Sequence, residues 1–208
     1  APDRIVRCDV IGNCMSDCYF DEQLRISARQ KLIQKFPEAE DKKVILYMPK
    51  WRTRTDCPSW LRIIDLELLR KYLGDGYAVV VNINKAEVEY KTDNVINIDG
   101  FSKEISKGML LRELMIASDI IIGDYRDEFF EAPIMNKPAF STADDFETVI
   151  RAKNMSLNAN DFEKFIFCPV VSDAEQLANY IADIEHYDYA PMQEFYKTIL
   201  LGCDGHSV

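Results

Sequence analysis

Hydrophobic positions in this chain fall into short continuous runs separated by stretches of helical spacing. The runs are Val44-Ile45-Leu46-Tyr47-Met48, Ala78-Val79-Val80-Val81-Asn82-Ile83, Val95-Ile96-Asn97-Ile98 and Ile120-Ile121-Ile122-Gly123. Their β-branched content and lack of alternation suit strands covered on both faces. Before the first run, Leu24, Ala28, Leu32 and Ile33 recur at the spacing of one helical face. Asp21 suits the cap of that helix, and Pro37 predicts its end near Lys35 by biasing its predecessor away from helical angles. Leu61, Ile64, Leu68, Leu69 and Tyr72 predict a second helix closed by Gly74-Asp75-Gly76, and Leu110, Leu111, Leu114, Met115 and Ala117 a third.

A further helix is predicted after Ile120–Gly123, ending before Asn136-Lys137-Pro138. Pro138-Ala139-Phe140-Ser141 reads as a brief fifth strand and Ile166–Val171 as an edge strand, with Pro169 at the sheet margin. Asp144-Asp145-Phe146 begins a helix or loop, and residues 154–161 are the most loop-like interval. Asp173 caps a helix through Leu177, Ile181 and Ile184; Pro191 opens another through Phe195, Ile199 and Leu200. At the other end, Arg4–Gly12 alternates as a half-exposed strand or extended lead-in does. Alternation of strands with helices predicts a three-layer α/β, Rossmann-like domain with a parallel sheet and helices on both faces, occupying residues 1–208 as one unit.

Composition narrows the partners. A formal charge of −10 over 208 residues excludes a broad basic face for nucleic acid or anionic lipid, while leaving room for a local basic pocket. No run approaches the roughly 18 apolar residues of a membrane span, and no signal peptide is expected before the first strand. The six cysteines, Cys8, Cys14, Cys18, Cys57, Cys168 and Cys203, scatter over a chain with ample core and read as reduced thiols. His186 and His206, the only histidines, lie far from Cys14 and Cys18, so no metal site is expected.

Candidate chemistry gathers at the carboxyl ends of the strands. In open parallel sheets ligands bind in the crevice beyond those ends, which places Asp124, Tyr125, Arg126 and Asp127 on the ligand edge. Pro49 ends the first strand because it lacks an amide hydrogen, leaving Lys50, Trp51 and Arg52 at the same edge. That loop suits either a cationic wall facing phosphate or an aromatic lid with solvated charges.

The stretch from Ser118 to Pro138 resembles the signature S-D-x-x-x-x-D-Y-S-S-x-x-F-[DE]-x-x-x-x-N-K-P of bacterial CDP-glycerol glycerophosphotransferases of teichoic acid synthesis. Ser118, Asp119, Asp124, Tyr125, Phe130, Glu131, Asn136, Lys137 and Pro138 match; Arg126 and Asp127 replace the paired serines. Lys43–Arg52 resembles the family's K-V-I-L-Y-A-P-T-W-R, Gly12–Asp17 keeps only the glycine and aspartate of G-x-P-R-N-D, and Asp204-Gly205 matches the start of D-G-x-[AS]-S. Against the family's L-L-L-R-L-H-P, the arginine falls on Asn82, the histidine on Asn84 and the proline on Lys85. Asparagine can bond a phosphate oxygen but cannot carry positive charge or exchange a proton near neutral pH, a loss worth about two to four decades in rate if the histidine acts as acid, base or electrostatic stabiliser.

The resemblance implies the carboxyl-terminal, donor-nucleotide half of a two-domain GT-B enzyme whose amino-terminal half is absent. It implies a CDP-glycerol donor, no metal or redox cofactor, no nucleic acid, and a cytoplasmic place at the inner face of the cell membrane, contacted through the absent half. Lys50, Arg52, Asn84, Asp124, Tyr125, Arg126, Glu131 and Gly205 are the implied substrate-binding positions, with no residue assigned as catalytic. Asp124 and Tyr125 would shape the phosphate turn, and Glu131 faces either the ribose or the helix surface. Asn136 and Lys137 would cap the preceding helix. His206 lies either near phosphate or in a frayed terminus. The alternative function is a degenerate, non-catalytic domain that binds a nucleotide or a partner. A receiver-like signalling role is disfavoured because the paired acids expected after an early strand are absent.

Overall fold

The computed structural model describes residues 12–52, 60–61, 63–83, 95–124, 126–145 and 166–206. Numbered along the chain, the strands are β1 (Lys43–Met48), β2 (Trp51–Arg52), β3 (Trp60–Leu61), β4 (Tyr77–Val81), β5 (Ser102–Glu104), β6 (Ile120–Gly123) and β7 (Ala139–Ser141). The helices are α1 (Glu22–Lys35), α2 (Leu66–Leu73), α3 (Leu111–Ala117), α4 (Ala174–Ala182) and α5 (Ala190–Ile199). Five strands form a parallel sheet in the order β5-β4-β1-β6-β7, while β2 and β3 pair antiparallel beside it.

Each buried run divides its side chains between two cores because successive residues of a strand face opposite ways. Val44, Leu46, Met48, Ala78, Val80 and Ile121 pack towards Ala28 and Leu32 of α1, Leu114 and Met115 of α3, and Phe195 of α5. Ile45, Tyr47, Val79, Val81, Ile120 and Ile122 pack towards Leu66 and Leu69 of α2 and Leu177 and Ile181 of α4. Helices therefore cover both faces, as the alternation of elements predicts. Asp21 accepts from the amides of Gln23 and Leu24, and Asp173 from that of Gln176, at the caps expected from sequence.

Four elements differ from expectation. The run Val95–Ile98 is not the strand beside β4; Ser102–Glu104 takes that place, pairing from Val79↔Ser102 to Val81↔Glu104. Gly100, at φ +70°, turns the chain back so that Ile98 and Ser102 form an antiparallel bridge, and Val95 is left exposed. The polar strand is satisfied locally, with the Ser102 hydroxyl donating to the Ile96 carbonyl at 2.8 Å and Asn97 accepting from the Glu104 amide at 2.7 Å. The second helix starts five residues later than its apolar spacing suggests. Leu61 sits in β3, Ile64 in a buried extended segment, and Asp65 caps α2 through the Leu68 amide at 2.9 Å.

After β6 the chain forms a 3-10 helix over Asp127–Met135, because Pro133 removes an amide and blocks a regular α-helical turn. Asn136 closes it in the left-handed region at φ 49°. The predicted edge strand Ile166–Val171 is reduced to a single parallel bridge between Ser141 and Val170. The segments Arg4–Ile11 and 154–161 lie outside the described residues. Cys14, Cys18, Cys168 and Cys203 are free thiols; Cys8 and Cys57 lie outside. No helix among the described residues is long and apolar enough to cross a membrane.

Gly123 ends β6 under the ring of Phe129: a Cβ there would fall 2.0 Å from a ring carbon. Phe129 is 3% exposed and its ring lies tilted against that of Phe167, centroids 5.0 Å apart, so it has little room to withdraw. Gly123→Ala is expected to cost about 1–3 kcal/mol through overpacking. Gly76→Ala, at a site with nothing within 4 Å of the added atom, is the control. Urea denaturation should show a lower midpoint for the first variant only.

Candidate functional site at the carboxyl edge of the sheet

β1 and β6 are neighbours in the sheet but their chains leave towards opposite sides, which makes their carboxyl ends the topological switch point. The two exits are tied together. Asp124, only 3% exposed, accepts from the Lys50 amide through Oδ2 at 3.3 Å. Of the predicted site residues, Lys50 and Asp124 are thus brought into contact, and that contact runs through the Lys50 backbone.

Beside them, β4 leads into Asn82, a buried polar residue just past an apolar strand. Its amide donates to the Tyr47 carbonyl at 2.9 Å and its Nδ2 to the Ile105 carbonyl at 3.0 Å. Both Asn82 oxygens accept from Nη1 of Arg126 at 3.1 Å. The Arg126 side chain is 13% exposed, and its Nε lies 3.6 Å from the Glu128 carboxylate. Ser106 closes the neighbouring wall, donating to the Ile83 carbonyl and accepting from the Ile83 amide at 2.9 Å.

These groups open onto a cavity of about 450 Å³ whose lining includes Lys31, Asn82, Ser106, Gly108, Leu111 and Arg126. Lys31 donates to Glu113 at 2.8 Å, and Glu113 also accepts from the Leu110 amide at 2.6 Å. Burial pushes the Glu113 carboxyl up, but these hydrogen bonds outweigh it and hold its pKa below the ordinary value. Leu110, predicted on the buried face, is instead 72% exposed just ahead of α3. The crevice thus offers a braced guanidinium, the Ser106 hydroxyl and the Asn82 and Ile83 amides already donating within the fold. That equipment suits an anion bearing hydrogen-bond acceptors. No cluster of metal-ligating side chains occurs among the described residues.

The remaining predicted residues distribute elsewhere. Asn84 and Tyr125 lie outside the described residues, and Arg52 is placed by its backbone pairing with Trp60. Glu131 is turned inward, its side chain 15% exposed. It is gripped by Arg112 through Nε at 3.0 Å and Nη2 at 2.7 Å, and by the Tyr19 hydroxyl. Burial, followed by the bond to Glu131, pushes the Tyr19 phenol far above its usual pKa; Arg112's own hydrogen bonds to Glu131 raise that of its guanidinium. Gly205, at φ +84°, passes close under Phe20, with His206 exposed beyond it.

Several motif residues serve the opposite pole of the sheet. Ser118 donates to the Leu114 carbonyl at 2.6 Å, and Asp119 accepts from the Val44 amide at 2.7 Å. Lys137 does not cap the helix that it follows; it caps α3, donating to the carbonyls of Met115, Ile116 and Ser118 at 2.8, 2.7 and 2.6 Å. Burial lowers its pKa to about 8. Sequence reasoning did not assign Asn82, Ser106 or Lys31 to the site. A signal existed for Asn82, a polar residue interrupting an apolar run, and for Ser106-Lys107-Gly108, a turn-forming triplet before a helix.

The family model for CDP-glycerol:poly(glycerophosphate) glycerophosphotransferase matches residues 9–207. A teichoic acid poly(glycerol phosphate) polymerase of Bacillus subtilis is 33% identical over 153 residues, covering 72% of this chain and 20% of that protein. A teichoic acid poly(ribitol-phosphate) polymerase of Bacillus spizizenii is 25% identical over 197 residues, covering 91% of this chain and 30% of that protein. Among solved structures, a variant of the wall teichoic acid polymerase TagF soaked with CDPG superposes with a TM-score of 0.74 at 23% identity. That match covers 96% of this chain and 49% of that one, and it shows the fold. The chain therefore spans less than a third of the two curated relatives and about half of the solved chain.

The geometry separates a structural from a ligand-facing role for Glu131. Glu131→Ala strands the Arg112 guanidinium in a half-buried site and is expected to cost about 1–3 kcal/mol of stability. Chemical denaturation should register that loss, while nucleotide affinity, read by titration at a temperature where the variant is folded, should change less than about twofold.

Proposed function

Because the chain belongs to the CDP-glycerol:poly(glycerophosphate) glycerophosphotransferase family, we propose that it is the donor-nucleotide domain of a longer transferase and takes a CDP-alditol, with CDP-glycerol the preferred candidate. The supporting observation is the Arg126 guanidinium, braced on Asn82 at the mouth of a polar crevice beyond the end of β4, beside the switch point. In the full reaction an acceptor hydroxyl attacks the β-phosphorus of the donor. The bond from that phosphorus to the oxygen shared with the α-phosphate breaks, CMP leaves, and the hydroxyl proton passes to a base. The crevice would bind and orient the diphosphate; the acceptor would come from the part of the enzyme beyond this chain, at the cytoplasmic face of the membrane.

A specific observation favours a weaker, non-catalytic variant of this reading. Asn84 stands where the family motif has histidine, and Arg126 and Asp127 stand where it has serines. Asparagine can take a hydrogen bond from or give one to a phosphate but cannot shuttle its proton. The isolated 208-residue chain is expected to bind donor without transferring glycerol phosphate. Chemical-shift mapping with CDP-glycerol, CMP and inorganic phosphate should perturb residues 123–131 and the amides of Asn82 and Ser106. An accompanying assay should detect no acceptor-dependent CMP release. Shifts confined to other surfaces would reject the donor reading, and CMP release would reject the non-catalytic one.

A further inference from the structure

Asn82 and Arg126 are the two described residues at this edge that depart from the family motif and also touch each other. The motif has arginine at the first position and serine at the second; this chain has asparagine and arginine. Asn82 is arranged to receive the guanidinium. Its Nδ2 is anchored on the Ile105 carbonyl, which turns Oδ1 and the backbone carbonyl together towards Nη1 of Arg126. The other amino group of Arg126, Nη2, has no hydrogen-bond partner among the described residues. Nε faces Glu128, whose side chain is 38% exposed and 3.6 Å away, at the long end of an ion pair.

We propose that the two substitutions are a reciprocal exchange: the crevice's phosphate-binding guanidinium is delivered by Arg126 from the loop after β6 instead of from the end of β4, and Asn82 is the bracket that positions it. The inference rests on the donor-site reading above. Its physical basis is space and charge. The end of β4 is closed by Tyr47, Ile105 and Arg126, so it holds one guanidinium, and a second would meet both steric crowding and like charge. An arginine held through one amino group keeps the other free to meet a phosphate oxygen, and loses less side-chain freedom on binding than a mobile one. Arg126 is thus the specificity-determining contact and Asn82 a positioning residue.

The test measures CDP-glycerol and cytidine binding by calorimetry to four forms of the 208-residue chain: unaltered, Arg126→Ser, Asn82→Arg, and the double variant. Arg126→Ser should weaken CDP-glycerol about tenfold or more, as loss of a charged hydrogen bond implies, and leave cytidine, which has no phosphate, within about twofold. Asn82→Arg alone should weaken CDP-glycerol comparably, and the double variant should recover to within about threefold of the unaltered chain. Recovery is the readout that a merely structural role would not produce. If the double variant is folded by circular dichroism yet binds as weakly as Arg126→Ser, the exchange is overturned while the donor reading stands. Equal affinity of Arg126→Ser and the unaltered chain overturns it in the same way. No binding to the unaltered chain removes the donor reading and this inference with it. Should Asn82→Arg not fold, Glu128→Gln decides instead: releasing Nε should tighten CDP-glycerol by about two- to threefold, and an unchanged or weaker affinity rejects the proposal.

Discussion

Two aspartates pin the strand pair on which the architecture turns. Asp119 and Asp124 bracket β6, and each accepts from a backbone amide at one end of β1: Val44 at 2.7 Å and Lys50 at 3.3 Å. A one-residue slip reverses which side chains face each core and a two-residue slip restores them, and with both faces apolar the hydrophobic pattern alone sets the register weakly. Two carboxylates spaced by the length of the strand add a polar constraint to that packing, so Ile45, Leu46 and Tyr47 stand opposite Ile120, Ile121 and Ile122. The switch point of the sheet is therefore fixed from both ends, and the crevice above it inherits its geometry from this register.

The motif between Ser118 and Pro138 consequently divides by pole. Ser118, Asp119 and Lys137 work at the amino end of β6, where the Lys137 amine satisfies carbonyls at the end of α3 that the short helix leaves unpaired. Asp124 works at the carboxyl end, as a brace between the exits of β1 and β6. Glu131, with Arg112 and Tyr19, fastens the segment after β6 to α3 and to the first 3-10 turn of the described chain. A sequence signature that reads as a binding site is, in its described residues, largely scaffold.

The 3-10 form of Asp127–Met135 bears on the site as well. Like an α-helix it leaves its first amides without partners inside the helix. It also begins with Asp127 and Glu128, whose charges oppose an anion. Arg126 immediately before them supplies the opposite charge, which is why the electrostatics of this edge depend on one side chain and its bracket on β4.

The apolar runs and helical spacings by themselves determined the layered parallel sheet, three of its core strands and the caps at Asp21 and Asp173, because burial on two faces and local capping are written in contiguous residues. The family motif likewise carried the kinship of the chain. What sequence could not settle was decided by contacts between distant segments. Ser102–Glu104 displaces the more apolar Val95–Ile98 beside β4 because Gly100 permits a reversal and Asn97 and Ile96 satisfy the polar strand. Glu131 turns inward because Arg112 and Tyr19, from other elements, meet it there. Arg126 reaches Asn82 across 44 positions of sequence, and only the sheet, by setting β4 and β6 on either side of β1, brings together two substitutions that look unrelated along the chain.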